Sequence, residues 1–209
     1  YAIANNIGLK KVLTKYALIL NPDTILDKNA INNFFLVTKK NINFWLIGPA
    51  SYQQIKNLPE NEELIEVNNL KGFAIFFNLK KFKDIFFDEN FFLYFEEIDL
   101  CTRVKKEGGK IYLNKRILIQ HEGASSVDKK NIAELERNRN WHWMWSSFYY
   151  HKKYRGFFIA FMIIFPKLFS SLVKVLFYLL VFNKEKKNIY FYRMSGIINS
   201  VLGKKSWHR

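Results

Sequence analysis

Along the first 121 residues, short apolar runs alternate with stretches whose apolar residues recur at helical spacing. The run at residues 16–20 (YALIL) ends at Asn21-Pro22-Asp23-Thr24 and predicts a buried strand entering a turn. In residues 27–40, Ile31, Phe34, Phe35 and Val37 fall near helical spacing, with Asp27 as a cap and Lys39 and Lys40 at the far end, which predicts a helix. A second strand is expected over residues 44–47, stopped by Gly48-Pro49, and residues 51–69 read as a polar surface loop with little regular structure. The phrase GFAIFF at residues 72–77 resumes as a strand. Ile98, Cys101 and Val104 keep helical spacing and Gly108-Gly109 supplies a stop, so Glu96, Glu97 and Asp99 fall in the first turn of a helix. Two short strands, KIYL and ILIQH, close this part. The alternation predicts an α/β layered domain with a largely parallel sheet, in which ligands gather at the carboxyl ends of the strands. Asp23 follows one such end and His121 closes another.

The pattern changes after about residue 137, which divides the chain into a domain at 1–136 and a helical region at 137–209. Residues 139–156 hold three Trp, three Tyr and one Phe beside a basic cluster, and fit either an aromatic helix packed on the preceding domain or an interfacial belt. Residues 157–182 are strongly apolar but are interrupted by Pro166, Lys167, Ser170, Ser171 and Lys174. Neither apolar half reaches the roughly 20 residues that a single span needs. Basic residues flank both ends (Lys152, Lys153 and Arg155; Lys184, Lys186 and Lys187), which predicts a helical hairpin lying in the interface at the cytoplasmic face of the cell membrane.

Composition adds that 49% hydrophobic residues suffice for a core and exclude a disordered chain. The net charge of +15 would suit a nucleic-acid binder were it evenly spread. It is not: residues 152–209 hold 12 Lys and Arg against one acid, Glu185, so the tail carries most of the excess. Aliphatic filling between its basic clusters argues against nucleic acid and for a membrane surface. Cys101, the single cysteine, excludes an internal disulfide and a cysteine-based zinc site, and fits a reducing compartment.

Three places could carry chemistry. Asp23 suits a turn, and equally a carboxylate at a strand end that holds a divalent cation bridging a diphosphate. Glu96, Glu97 and Asp99 suit a helix start, where acids are favoured, and equally a general base beside the apolar wall FFLYF. His121 fits a structural histidine or a ligand completing a Mg2+ or Mn2+ site.

The ordered phrases LNPDT, KGFAIFF, FDENFFLYFEEIDLCTRVKKEGGKIYL and IQHEGASS resemble the family 2 glycosyltransferases, in particular their rhamnosyltransferase-like branch, over about residues 1–127. The resemblance implies a GT-A-like fold and an inverting hexosyltransferase that moves a sugar, rhamnose in that branch, from a nucleotide-sugar donor to a saccharide acceptor, lipid-linked in surface polysaccharide synthesis. It implies that Asp23 and His121 hold Mg2+ or Mn2+, that Asn5, Asn21, Asp23 and Gly72 lie at the donor, and that Glu97, with Glu96 and Asp99 beside it, supplies the base. Where the family commonly has Glu-Asp this chain has Glu96-Glu97, a base one methylene longer. The family's first strands, with their nucleoside-binding acids, would precede Tyr1, so this stretch alone is expected to bind nucleotide poorly. The competing readings are a catalytically incomplete membrane-associated scaffold and a basic nucleic-acid-binding module.

Overall fold

The computed structural model describes residues 1–40, 42–50, 59, 61–83, 86–121 and 132–206, with His121 described in its backbone only. These fall into two compact units. One, the sheet unit, comprises Ile3–Asp88 and Glu97–Ser126; the other, the helical unit, comprises Tyr1–Ala2, Glu89–Glu96 and Val127–Arg209. A short aromatic segment from upstream, Glu89–Glu96, is counted in the helical unit.

The sheet unit contains α1 (Ala2–Lys10), β1 (Tyr16–Leu20), β2 (Thr24–Leu26), α2 (Ala30–Lys39), β3 (Leu46–Ala50), β4 (Leu64–Glu66), β5 (Ala74–Asn78), α3 (Glu96–Lys106) and β6 (Ile111–His121). The strands form one sheet in the order β1-β5-β3-β6-β2, with β4 also paired to β6. Contrary to the expectation of a largely parallel sheet, among the described residues only β3 and β6 pair in parallel, and every other pairing is antiparallel. β5 enters the sheet between β1 and β3 and opposes both. Gly48-Pro49 does not stop β3 but lies within it, and part of the expected loop, residues 64–66, is a strand.

The expected strands KIYL and ILIQH are one strand with an irregularity. Pro49 pairs with Asn114 and Ala50 with Leu118, so the register shifts between them. The buried Asn114 side chain accepts the Arg116 amide at 2.9 Å, satisfying a donor that the bulge withdraws from the ladder. On either side of the bulge β6 serves different partners, β4 before it and β2 after it.

Alternation along β5 sends neighbouring rings to opposite faces. Phe76 meets Phe34 of α2 at 5.0 Å and joins the core formed with Ala30, Val37, Phe44, Ile47, Ile117 and Ile119. Phe77 instead meets Phe82, Phe86 and Phe87 at 5.5 to 6.0 Å. α1 is fixed to this second layer by Asn6, whose side chain both donates to the Phe87 carbonyl and accepts the Phe87 amide at 2.9 Å. α3 ends in a Schellman arrangement: Gly108, at φ 73°, bonds the Lys105 carbonyl, and the Gly109 amide bonds that of Val104. α2 begins at Ala30 with Asn29 before it, and makes no side-chain cap through Asp27.

The helical unit consists of α4 (Ile132–Arg155), α5 (Phe157–Leu180) and α6 (Lys184–Val201) around Met144, Phe148, Ala160, Ile164 and Ile197. Of the two readings of residues 139–156, packed helix and interfacial belt, the structure has a helix whose aromatic residues are largely packed within the helical unit. Trp141 and Trp145 are buried, and their indole N–H groups donate to Ser195 Oγ and the Lys204 carbonyl. The upstream segment belongs here as well: Phe91 meets Tyr149 at 4.9 Å, Phe92 stacks on His142, and Ser146 Oγ donates to the Leu93 carbonyl.

The interruption expected at Pro166 is also absent, since α5 is one helix of 24 residues. Proline removes the hydrogen bond that the Met162 carbonyl would accept, and both residues lie on the exposed side of the helix. α4 and α6 approach closely where a Cβ on Gly196 would lie 2.3 Å from the Trp141 carbonyl oxygen. Gly196→Ala must push the two backbones apart, and is expected to cost about 1–3 kcal/mol, read as a lowered midpoint in thermal unfolding.

Candidate functional site

The LNPDT turn is built between two strand pairings. Asn21 extends the β1–β5 ladder, its amide donating to the Phe73 carbonyl at 2.8 Å, and Gly72 is the next residue. Pro22 and Asp23 then form the turn, closed by Thr24 Oγ1 donating to the Asn21 carbonyl at 2.6 Å. Thr24 opens β2, where its Cα partner is His121 of β6. In an antiparallel pair directly opposed Cα atoms stand about 4.5–5.5 Å apart. Asn21, Asp23, Gly72 and the backbone of His121 are therefore gathered at one end of the sheet, at the carboxyl ends of β1 and β6. Asn21, Asp23 and Gly72 are half-buried. The His121 side chain and the EGASS phrase after it lie outside the described residues. Among the described residues no group of three His, Cys, Asp or Glu side chains could hold a metal ion. Asn5, half-buried on α1, is not placed with this group by any strand pairing.

The acidic phrase is delivered by unusual backbone. Tyr94 and Phe95 take φ values of 67° and 70°, a left-handed conformation that bulky side chains avoid at a cost of about 1–2 kcal/mol each. Their rings are held within the helical unit, Tyr94 and Phe95 on Trp143 at 5.3 and 5.2 Å, and Arg139 Nε donates to the Tyr94 hydroxyl. α3 begins directly afterwards, and its three acids have different surroundings.

Glu96 is buried at the first position of the helix. Asp99 is fully buried and accepts from Arg103 Nε at 2.9 Å, one turn on. Arg103 in turn donates to the Phe86 carbonyl. These contacts make Asp99 an anchor that ties α3 to the layer beside Phe77.

At Glu97, Oε2 is buried with no hydrogen-bond partner among the described residues, and Glu96 Oε2 is buried likewise. Burial pushes the Glu97 carboxyl above the usual glutamate range, and the amides of Glu97 and Ile98 offset this only in part. One turn on lies Cys101, whose thiol meets the backbone of Leu70 and feels the Glu97 charge. Leu70 precedes Gly72 by two residues and packs its side chain over Gly48 of β3. Glu97 therefore stands on the face of α3 that rests on the segment leading to the strand-end group.

Sequence reasoning missed the left-handed pair at Tyr94 and Phe95, the Asp99–Arg103 anchor and the Asn6 clasp on Phe87. Only the second had a sequence signal, an acid and a base four residues apart on a helix. No protein-family model matches the chain, and no curated protein matches it significantly. Fold and site together define a mixed α/β protein with a six-stranded sheet and a separate helical unit.

Proposed function

We propose that the sheet unit is the catalytic part of a GT-A-type, family 2-like glycosyltransferase, which moves a sugar with inversion from a nucleotide-sugar donor to a hydroxyl of a saccharide acceptor. The observation that carries this reading is Glu97: a carboxylate with one buried, unpartnered oxygen, made more basic by burial, beside a segment that reaches the strand-end turn. A buried acceptor with nothing to accept from is costly to a fold unless a donor arrives with a ligand.

In this reading the acceptor hydroxyl donates to Glu97 Oε2 and passes its proton there as the oxygen attacks the anomeric carbon. The bond from that carbon to the donor diphosphate breaks, and its electron pair leaves with the diphosphate. Displacement from the opposite face inverts the centre without a covalent sugar-enzyme intermediate. Asn21, Asp23 and Gly72 form the donor side, where backbone can approach the diphosphate closely at Gly72. Asp23 is a hard oxygen donor and its turn is paired to His121, a partial set that fits Mg2+ or Mn2+ completed by phosphate oxygens and water. A cation held there would neutralise charge on the leaving diphosphate. Tyr94 and Phe95 support the reading too, since paired strain just before a candidate base is the kind of cost found at functional sites.

The test is consumption of nucleotide sugars with saccharide acceptors by the protein in its full natural length, with and without Mg2+ or Mn2+. Asp23→Asn is expected to raise the cation concentration for half-maximal rate on the order of tenfold or more, without changing the thermal unfolding midpoint. No cation-dependent transfer from any nucleotide sugar, or an Asp23→Asn variant with unaltered cation demand, would overturn it.

A further inference from the structure

The helical unit leaves one face of α5 uncovered. α5 packs on α4 and α6 through Ala160, Ile164 and Ser171, with Phe161 and Leu168 alongside. On the opposite side Phe158, Met162, Phe165, Phe169, Leu172 and Leu176 follow one another at helical spacing, and all are exposed, Phe158 at 84% and Met162 at 73%. At 3.6 residues per turn these six form a single stripe with no polar side chain among them. The helix that carries it is about 36 Å long at 1.5 Å per residue. Lys152, Lys153 and Arg155 precede the stripe and Lys184, Lys186 and Lys187 follow it, while Lys174, within α5, turns to the Tyr190 ring.

Just beyond the helix, Phe182 is 93% exposed at a φ of 54°, a position that glycine would take without strain. Packing within the described chain gives no reason for an aromatic ring there.

An apolar stripe of this length with a basic cluster at each end matches a lipid surface, with hydrocarbon for the rings and aliphatic groups and acidic headgroups for the cationic groups. A second copy of the chain would instead bring the like-charged clusters at the ends of the stripe together. α5 is long and apolar enough to cross a membrane, but its packing opposes a crossing. α6 returns along it, with Tyr190 stacked on Tyr178 at 5.6 Å and beneath Lys174 at 4.8 Å, and with Ile197 beside Ala160 and Ile164. Sinking α5 through the bilayer would drag in Arg193, placed over Tyr190, and Arg137, placed over Tyr192, and charged groups in hydrocarbon are strongly disfavoured. We propose that α5 lies flat in the surface of an anionic membrane, its outer stripe and Phe182 sunk at the boundary of headgroups and acyl chains and the basic clusters at its two ends on acidic headgroups. This inference is independent of the transferase reading.

The experiment is flotation of the full chain with vesicles of phosphatidylcholine alone and of phosphatidylcholine mixed with phosphatidylglycerol. Binding to the mixed vesicles is expected, about tenfold or more weaker without the anionic lipid and weakened by salt. Phe169→Glu combined with Leu176→Glu is expected to abolish it while circular dichroism stays unchanged. Depth is read from nitroxides placed by Phe158→Cys, Phe169→Cys and Leu180→Cys in otherwise unaltered chains. The native Cys101 is buried and its thiol is pushed up to about 12, so it stays unlabelled. All three labels are expected at one shallow depth, about 5–10 Å into the boundary. The proposal falls if the label at 169 sits at the bilayer centre with the other two toward opposite surfaces, or if the double glutamate variant floats like the wild type. It falls equally if the chain ignores vesicles and forms a dimer that this variant dissociates.

Discussion

Glu97→Gln is expected to lower the transfer rate about 10²–10⁴-fold, the contribution of a positioned base, while donor binding stays near that of the wild type. Its second effect has the opposite sign. Burial raises the Glu97 carboxyl, so the folded state holds this proton more tightly than the unfolded chain does. Any stability linked to this group is fully present below the ordinary glutamate range and is lost as pH rises through the higher folded value. The glutamine variant carries no such charge, so it should unfold later than the wild type at neutral pH and converge with it in acid. A variant that is inactive and also more stable near pH 7 is the pattern of a site kept at a cost to the fold. The raised carboxyl also moves the acid limb of kcat/KM above that of an ordinary glutamate. Thermal unfolding across pH and a single-turnover assay check both halves. Retained transfer in the variant would remove Glu97 from the mechanism.

Arg103→Met should be the most damaging single change to the sheet unit. It removes the cation from Asp99, whose side chain is fully buried, and the donor from the Phe86 carbonyl, while the remaining stem still packs. Removing one partner of a buried pair costs about 3–5 kcal/mol, and urea unfolding should show that loss at an unchanged slope. The comparison separates neighbouring acids on one helix. Disturbing Asp99 through Arg103 should harm folding first and rate only as a consequence, whereas Glu97→Gln should harm rate alone.

The elements were largely legible in the sequence, and their arrangement was not. The apolar run at β1, the helical spacing of α2 and α3 and the Gly108-Gly109 stop are local signals, and each led to an element in place. Strand direction is a long-range property: nothing within GFAIFF states that β5 will run against both neighbours. Pro166 misled because proline ends helices by a local rule, while the packing of Ala160 and Ile164 on one side and Ser171 on the other carries α5 through it. Around the site, a carboxylate after a strand end could be read from Asn-Pro-Asp, and the pairing of Thr24 with His121 gives that reading a place in the sheet. The left-handed turn at Tyr94 and Phe95 could not be read, because bulky aromatics are the residues least expected there. The different circumstances of Glu96, Glu97 and Asp99 depend on what surrounds each one, which three adjacent acids do not disclose.

The bulge locked by Asn114 has a further bearing on how the molecule tolerates change. Ordinarily, inserting or deleting one residue in a strand turns every later side chain to the other face. In β6 the Asn114 clasp and the irregular stretch after it separate the half that pairs with β4 from the half that ends at Thr24 and His121. A change of length in the connection after α3 can be absorbed there, as slack in a joint, and the alignment of the LNPDT turn would survive it. Replacing Asn114 would remove that slack and make the far end of the strand answer to events at its beginning.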